Sequence, residues 1–361
     1  MIHQLVAALS AHDAIGNIAR LYQAILREAG QRDSHIYTLS HDARAPGGLD
    51  ARDLRLGPDD WLIYHYGNAS AATAIAERLG DRVILHDHNV TPGRFFQRYS
   101  ADMAGRLERG RVEEARFGAQ PALTDSHFNR GELLAMGFRD PRVIPPWVDA
   151  DGLRRSAASP AGRAIQQRHP RIINNERWTN WLFVGRLAPN KRQDDLITAF
   201  ADYQRRHQPN SRLLLVGAAH GNRAYHSELD YHVARSGAQQ VVFAGQPGFD
   251  EGFGGWYAAA DVFVSASEHE GFGIPLVEAM AFGLPIVARA CAAVPEAVRG
   301  AGLLIARPEP AALAEGVHLL LTDEPARAAL LRRQPDRLAA HSRAVVAATL
   351  LRELRAITGQ P

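Results

Sequence analysis

The chain is short of cysteine, of lysine and of long apolar runs. Its single cysteine, Cys291, excludes an internal disulfide framework and fits a reducing compartment. Small apolar neighbours mark that thiol as buried and inert rather than nucleophilic. No apolar run approaches the roughly 18 residues that a membrane span needs. No basic segment precedes the short apolar run Leu5–Leu9, so a signal peptide is not expected. These absences predict a cytoplasmic protein, with peripheral contact at the inner face of the membrane as the remaining membrane option. The net charge is only +2, which gives no reason to expect a nucleic-acid partner. No Gly-x-Gly-x-x-Gly follows a strand-like run, which argues against an NAD-dependent enzyme. Of the 41 basic residues one alone is a lysine, Lys191, and that exception asks for a reason.

What is present is length and rhythm. A chain of 361 residues exceeds one ordinary core and predicts two domains. Strand-like runs at His3–Leu9, His35–Leu39, Trp61–Tyr66, Arg82–His86, Ala122–Asp125 and Arg142–Ile144 alternate with helical patterns such as Asn17–Glu28, Ala71–Leu79 and Arg130–Met136. The rhythm lapses over Asp151–Arg177 and restarts at Trp181–Val184, Arg212–Val216, Val241–Ala244, Val262–Ser265, Pro285–Ala288 and Leu303–Ile305. The alternation predicts an α/β chain with two doubly wound, Rossmann-like domains. Their expected limits are 1–165 and 166–338, with 339–361 a C-terminal helix crossing back to the first. Ligands of such sheets sit at the carboxyl ends of strands, and an interdomain cleft is the expected site.

The segment Glu270-Gly-Phe-Gly-Ile-Pro-Leu-Val-Glu278 is the richest in chemistry. Two carboxylates flank a turn loosened by Gly271 and Gly273, and Pro275 stands where a helix can begin. A turn running into a helix start can aim backbone N–H groups at an anion. The flanking glutamates can accept hydrogen bonds from hydroxyls. An anion beside a polyol suggests a sugar nucleotide. Upstream, Arg186 and Lys191 follow a strand-like run, where a guanidinium and an ammonium suit a diphosphate from two sides.

Taken together, Gly185-Arg186-Leu-Ala-Pro-Asn-Lys191, the Glu270 to Glu278 segment, and Pro295-Glu296 followed by Gly302-Leu-Leu-Ile resemble the retaining glycosyltransferases of family 4, which have the GT-B fold. The resemblance covers nearly all of the second domain and the first more loosely. It implies a nucleotide diphosphate sugar as co-substrate, no resident cofactor and no catalytic metal. Arg186 and Lys191 would then hold the donor pyrophosphate beside Gly185. Glu278 would accept from the ribose, and Glu270 from the transferred sugar. The backbone from Gly271 through Phe272, Gly273, Ile274, Pro275 and Leu276 would complete the donor contacts. Where the family often has glycine after the lysine, this chain has Arg192, which bears on how the next helix begins.

In the first domain, Gly16 within His12-Asp-Ala-Ile-Gly16-Asn17 follows the first strand-like run, and can let the backbone approach a phosphate. His86-Asp-His88-Asn89-Val-Thr-Pro92 invites a metal reading, but no third ligand stands at convincing spacing. Family members often place a histidine facing the donor sugar here; His88 is the choice and His86 the fallback. The His-Asn-x-Thr-Pro wording is similar to mannosyltransferases of bacterial surface-polysaccharide assembly, which implies GDP-mannose as donor and a saccharide or lipid-linked saccharide as acceptor. A UDP- or dTDP-sugar enzyme of the same fold, or a non-catalytic glycan-binding relative, is the alternative. Phe243–Pro247 is a candidate frame for the base, and Ser126 for a phosphate contact or a helix cap. Asp149-Ala-Asp151 mimics a metal-binding Asp-x-Asp and is set aside. The six arginines and four acids between Arg94 and Arg116 form a solvated helical face or a membrane contact.

Overall fold

In a computed structural model the chain is described except at residues 11–12, 41–46, 220–222, 307–308 and 360–361. It divides into two compact units. The first comprises Met1–Gln97, Ala101–Trp147 and Arg343–Pro361; the second comprises Arg98–Ser100 and Val148–Ser342.

The first unit holds seven parallel strands: β1 (Ile2–Val6), β2 (Ile36–Thr38), β3 (Gly48–Asp50), β4 (Trp61–Tyr66), β5 (Val83–Asp87), β6 (Ala122–Thr124) and β7 (Arg142–Val143). Their order is β3-β2-β1-β4-β5-β6-β7, so the winding reverses between β1 and β4. β3 was not anticipated, because Gly48-Leu-Asp50 carries no run of β-branched residues and two of its three residues are exposed. Strands β1, β4 and β5 are buried almost throughout, as expected of a sheet covered on both faces.

In the second unit, β8 (Ile172–Ile173) and β9 (Glu176–Arg177) form a small antiparallel hairpin. Six parallel strands follow: β10 (Thr179–Val184), β11 (Ser211–Val216), β12 (Val241–Phe243), β13 (Val262–Ser265), β14 (Ile286–Arg289) and β15 (Leu303–Ile305). Their order, β12-β11-β10-β13-β14-β15, reverses between β10 and β13. Two apolar layers flank this sheet, one built on Leu182, Leu214 and Phe263, the other on Trp181, Leu213 and Val264. Successive residues of a strand face opposite ways, so neighbours in sequence fall in different layers.

The segment expected to be an aperiodic crossover differs. Asp151–Arg177 begins with two helices, Ala150–Ala158 and Pro160–Arg168, that group with the second unit. Their apolar content is low, and side-chain caps set their starts. Asp149 accepts from Gly152 N at 2.8 Å, and Ser159 accepts from Gly162 N at 3.0 Å. The unit boundary therefore falls at 147/148 instead of 165/166. Asp149 of the Asp-x-Asp look-alike is such a cap. The C-terminal helix spans Arg343–Thr358 and groups with the first unit, packing Val346, Leu350 and Leu354 with Ile2 and Ile25. Among the described residues no helix is long and apolar enough to cross a membrane.

Candidate donor site and histidine cluster

In the second unit the winding reverses between β10 and β13, and the loops that leave their carboxyl ends carry the motif residues. After β10 the chain turns through Gly185, at φ +154°, and enters a short turn at Pro189–Lys191. After β13 it passes through Ser267 to Glu270 and Gly273, then into the helix Ile274–Met280. One backbone and one side-chain hydrogen bond join these loops: Glu268 N donates to Asn190 O at 2.9 Å, and Asn190 Nδ2 donates to His269 O at 3.2 Å. The result brings Lys191 Nζ within 2.6 Å of Glu270 Oε2. Ser267 Oγ donates to the other oxygen, Oε1, at 2.8 Å. Both ends of the ion pair are mostly shielded, at 15% and 16% side-chain exposure, so screening by water is weak. The lone lysine thus sits against the first glutamate of the motif. Arg186 is exposed, and its side chain has no ion-pair partner among the described residues.

Arg192 occupies a left-handed conformation, φ +51° and ψ +48°, at the start of the helix Gln193–Arg206. Such a conformation costs a non-glycine residue about 1–2 kcal/mol. Carboxylates hold the arginine there. Its guanidinium meets Glu268 at 2.5 Å, Asp195 at 2.8 Å and Asp194 at 3.1 Å. Arg289, buried at the end of β14, bridges Asp195 and Glu268 from the other side. This network fastens the Lys191 turn to the Glu270 turn.

Within the Glu270–Glu278 segment, only Gly273 has the positive φ, +96°, that favours glycine; Gly271 does not. Phe272 and Leu276 point into the core and Ile274 packs against it, so these three can offer a ligand only backbone groups. Glu278 receives the Tyr257 hydroxyl at 2.5 Å on Oε2. Burial pushes the Glu278 carboxyl up to about 7, against the opposing effect of that hydrogen bond. Tyr257, in the helix Phe253–Ala259, and Ser267 were not anticipated, because neither belongs to a recognisable spacing. β12 is the edge strand, with β11 between it and β10, so Phe243–Pro247 does not lie beside the Glu270 turn. Cys291 donates to Ser267 O at 2.9 Å, and burial pushes its thiol up to about 12, as an inert thiol requires.

The first unit corrects two expectations. Gly16 lies inside the helix Ala14–Glu28 and its N–H is taken by Asp13 Oδ2 at 3.0 Å. The Asp13 carboxylate already caps that helix start and would repel a phosphate. His12 lies outside the described residues. Ser126 likewise caps the helix His127–Ala135, accepting from Asn129 N at 3.0 Å.

His88 is not a free ring. Its Nδ1 meets Asp125 Oδ2 at 2.9 Å and its Nε2 meets His65 Nδ1 at 2.9 Å. His86 Nε2 meets the second Asp125 oxygen at 3.2 Å. Burial alone would raise the Asp125 carboxyl, but the facing imidazoles hold it well below the usual range. Neither nitrogen of His88 is available to a sugar hydroxyl while this arrangement stands. His65, unremarked in the sequence, comes from β4, where it pairs in register with His86. That shared alternation on neighbouring strands was the signal that could have found it. Between Arg94 and Arg116, the arginines 106, 111 and 116 pair with Asp102, Glu132 and Glu77.

Residues 166–337 match the family model described as "Glycosyl transferases group 1". A D-inositol 3-phosphate glycosyltransferase from Frankia alni is 30% identical over 310 residues, covering 82% of this chain and 74% of that protein. The lipopolysaccharide core biosynthesis mannosyltransferase LpsB of Rhizobium meliloti is 35% identical over 34% of this chain and 36% of its own. The chain spans 36% to 66% of the length of several curated relatives that it matches. Among solved structures, the Anabaena protein HepE in complex with UDP-glucose superposes with a TM-score of 0.74 at 19% identity, covering 98% of this chain and 99% of that one. Two parallel α/β sheets in tandem are the GT-B architecture of such structures. With a 30% identical relative covered over most of its length, the chain belongs to the group 1 family of glycosyl transferases.

Proposed function

We propose that the chain transfers a sugar from a nucleotide diphosphate donor to a saccharide or lipid-linked saccharide acceptor, with retention of anomeric configuration and no metal at the donor diphosphate. The observation that carries this reading is the Lys191–Glu270 ion pair at 2.6 Å, with Arg186 exposed on the same loop as the lysine and without an ion-pair partner among the described residues. Arg186 and Lys191 meet the two faces of the diphosphate and neutralise its charge as the sugar departs. Lys191 then leaves Glu270, whose carboxylate turns to the sugar hydroxyls while Ser267 fixes its orientation. Backbone N–H groups of the Gly271–Ile274 turn face the same anion. Glu278 accepts from the ribose. The reacting sugar passes through an oxocarbenium-like state, and the acceptor proton leaves on the departing phosphate oxygen. His88 enters as a packed member of the first unit's histidine cluster, because Asp125 and His65 engage both of its nitrogens.

The donor we favour is GDP-mannose, supported by the His88-Asn-Val-Thr-Pro92 wording and by the named activity of LpsB. UDP- and dTDP-sugars form the competing arms of the test. Thermal unfolding should be measured with each sugar nucleotide. A donor at a hundred times its Kd adds about 2.7 kcal/mol of stability. GDP-mannose should give the largest rise in Tm. A larger rise with a UDP- or dTDP-sugar replaces the donor assignment, and no rise with any sugar nucleotide defeats the whole reading.

Donor affinity should also depend on pH through Glu278. Its carboxyl is raised to about 7, so much of it is protonated at pH 6 and ionised at pH 8. Ribose hydroxyls donate to the ionised form, so binding releases a proton at pH 6. Affinity should therefore climb as pH rises through about 7 and then level off. Calorimetry with the intact sugar nucleotide at pH 6 and 8 reads this directly, and Glu278→Gln should flatten it. Equal affinities at both pH values in the unmodified protein would remove Glu278 from the ribose.

A further inference from the structure

Three imidazoles of the first unit gather at the carboxyl ends of β4 and β5. One ring nitrogen from each of His65, His86 and His88 lies within 4.8 Å of those of the other two. His65 is 2% exposed, His86 is fully buried, and the His88 side chain is 4% exposed.

The hydrogen bonds around the rings fix which nitrogens carry protons. Gln4 Nε2 donates to Ala19 O at 2.9 Å, so its Oε1 is the atom that faces His65 Nε2, also at 2.9 Å. An amide oxygen only accepts, so His65 is protonated at Nε2 and bears a lone pair at Nδ1. The ionised Asp125 accepts from His88 Nδ1 and from His86 Nε2. His88 Nε2 and His86 Nδ1 are left with lone pairs. Two of these three lone pairs, on His65 Nδ1 and His88 Nε2, face each other at 2.9 Å and repel unless a cation lies between them. The third, on His86 Nδ1, is buried with no hydrogen-bond partner among the described residues. A proton would reconcile the first two and leave His86 Nδ1 stranded. A metal ion between the rings would reconcile the facing pair, with His86 as the third imidazole of the cluster.

Metal-binding histidines ordinarily donate the remote N–H to a carboxylate or carbonyl, which fixes the tautomer and the ring. Asp125 and Gln4 do this here for all three rings. Imidazole sets favour zinc and neighbouring transition metals over magnesium or calcium. Metal–nitrogen bonds of about 2.0–2.1 Å in a tetrahedron separate nitrogens by roughly 3.3 Å. The His65–His88 gap therefore has to open by a few tenths of an ångström. We propose that His65, His86 and His88 bind one divalent transition-metal ion, zinc by ligand chemistry, with Asp125 and Gln4 orienting the rings. Three protein ligands leave a fourth position for water. The site is built wholly from the first unit and stands independently of the donor chemistry assigned to the second.

The full chain, stripped with a chelator, should be titrated with Zn2+ against a competing indicator dye and with Co2+ under visible spectroscopy. One equivalent should bind, Co2+ should give the intense bands of a four-coordinate ion, and Zn2+ should raise Tm. His86→Leu and His65→Gln should each abolish the Co2+ bands while circular dichroism stays unchanged. Asp125→Asn should weaken Zn2+ binding by about 10–100-fold. The proposal is overturned if the stripped, folded wild-type chain takes up no Zn2+ or Co2+. It fails equally if nitrogen NMR shows a proton between His65 and His88 that Zn2+ does not displace.

Discussion

Replacing Lys191 with alanine should lower sugar transfer by about a hundredfold, the scale of losing one preorganised charge at a transition state. The side chain is held 2.6 Å from Glu270 and shielded, so the lost charge is one that water cannot replace well. The change removes the cation at the moment the diphosphate gathers charge, so kcat should fall more than KM rises. Folding should be retained, because the turn that carries Lys191 has its anchors elsewhere. Those anchors are the Asn190 bonds and the Arg192 network. Glu270 keeps the Ser267 hydroxyl. Steady-state kinetics beside thermal unfolding separates the two effects. Near-normal kcat in a folded variant would show that the only lysine does not serve the leaving group.

Gly217→Ala should damage both fold and site. A Cβ on Gly217 would lie 1.9 Å from Gly185 O, and the backbone there has φ +154°. Neither partner is a flexible side chain, so the Gly185 loop itself must move. Gly185 N donates to Val216 O and Leu187 N to Ala218 O, and both bonds lie in the displaced stretch. A loss of about 2–4 kcal/mol is expected, in the range of strained-backbone and overpacking changes. Urea denaturation should give it as a lower midpoint at unchanged slope. The same shift carries Arg186 away from its place, so transfer should fall even at temperatures where the variant is folded. Gly245→Ala is the control, since nothing lies within 4 Å of a Cβ there, although its φ of +70° brings some strain. Equal stability of Gly217→Ala and the unmodified chain would mean that the two loops do not touch in solution.

Much of the architecture was legible because hydrophobic alternation is local. Twelve strand-like runs coincide with strands, and their ends shift by only a few residues. What escaped was of a different kind. β3 is short and half exposed, and the helices after Asp149 are set by caps rather than by an apolar stripe. The motif spacing grouped Arg186, Lys191, Glu270 and Glu278 as a proposed donor site, and the fold brings Lys191 against Glu270. The motif could not supply Tyr257, which reaches Glu278 through the fold from another helix, or Ser267, which lies near Glu270 in sequence but belongs to no recognisable spacing. Gly16 and His88 show the opposite failure. Each has a suggestive sequence setting, yet a neighbouring carboxylate from Asp13 or Asp125 has already engaged its polar atoms. Arg192 is the case where the sequence raised a question and the structure answered it. The backbone keeps the glycine-like conformation, and three carboxylates sustain an arginine in it.

The Lys191–Glu270 pair also bears on what the site refuses. A resting site that carries its own counter-ion works as an ion exchanger, and a newcomer must replace both halves of what it separates. A nucleoside diphosphate alone would compensate the ammonium and leave the carboxylate without its cation. On the proposed reading, a sugar nucleotide would supply phosphate oxygens to Lys191 and hydroxyl donors to Glu270 together. Discarding spent nucleotide would then need no extra device, because re-forming the internal pair expels it.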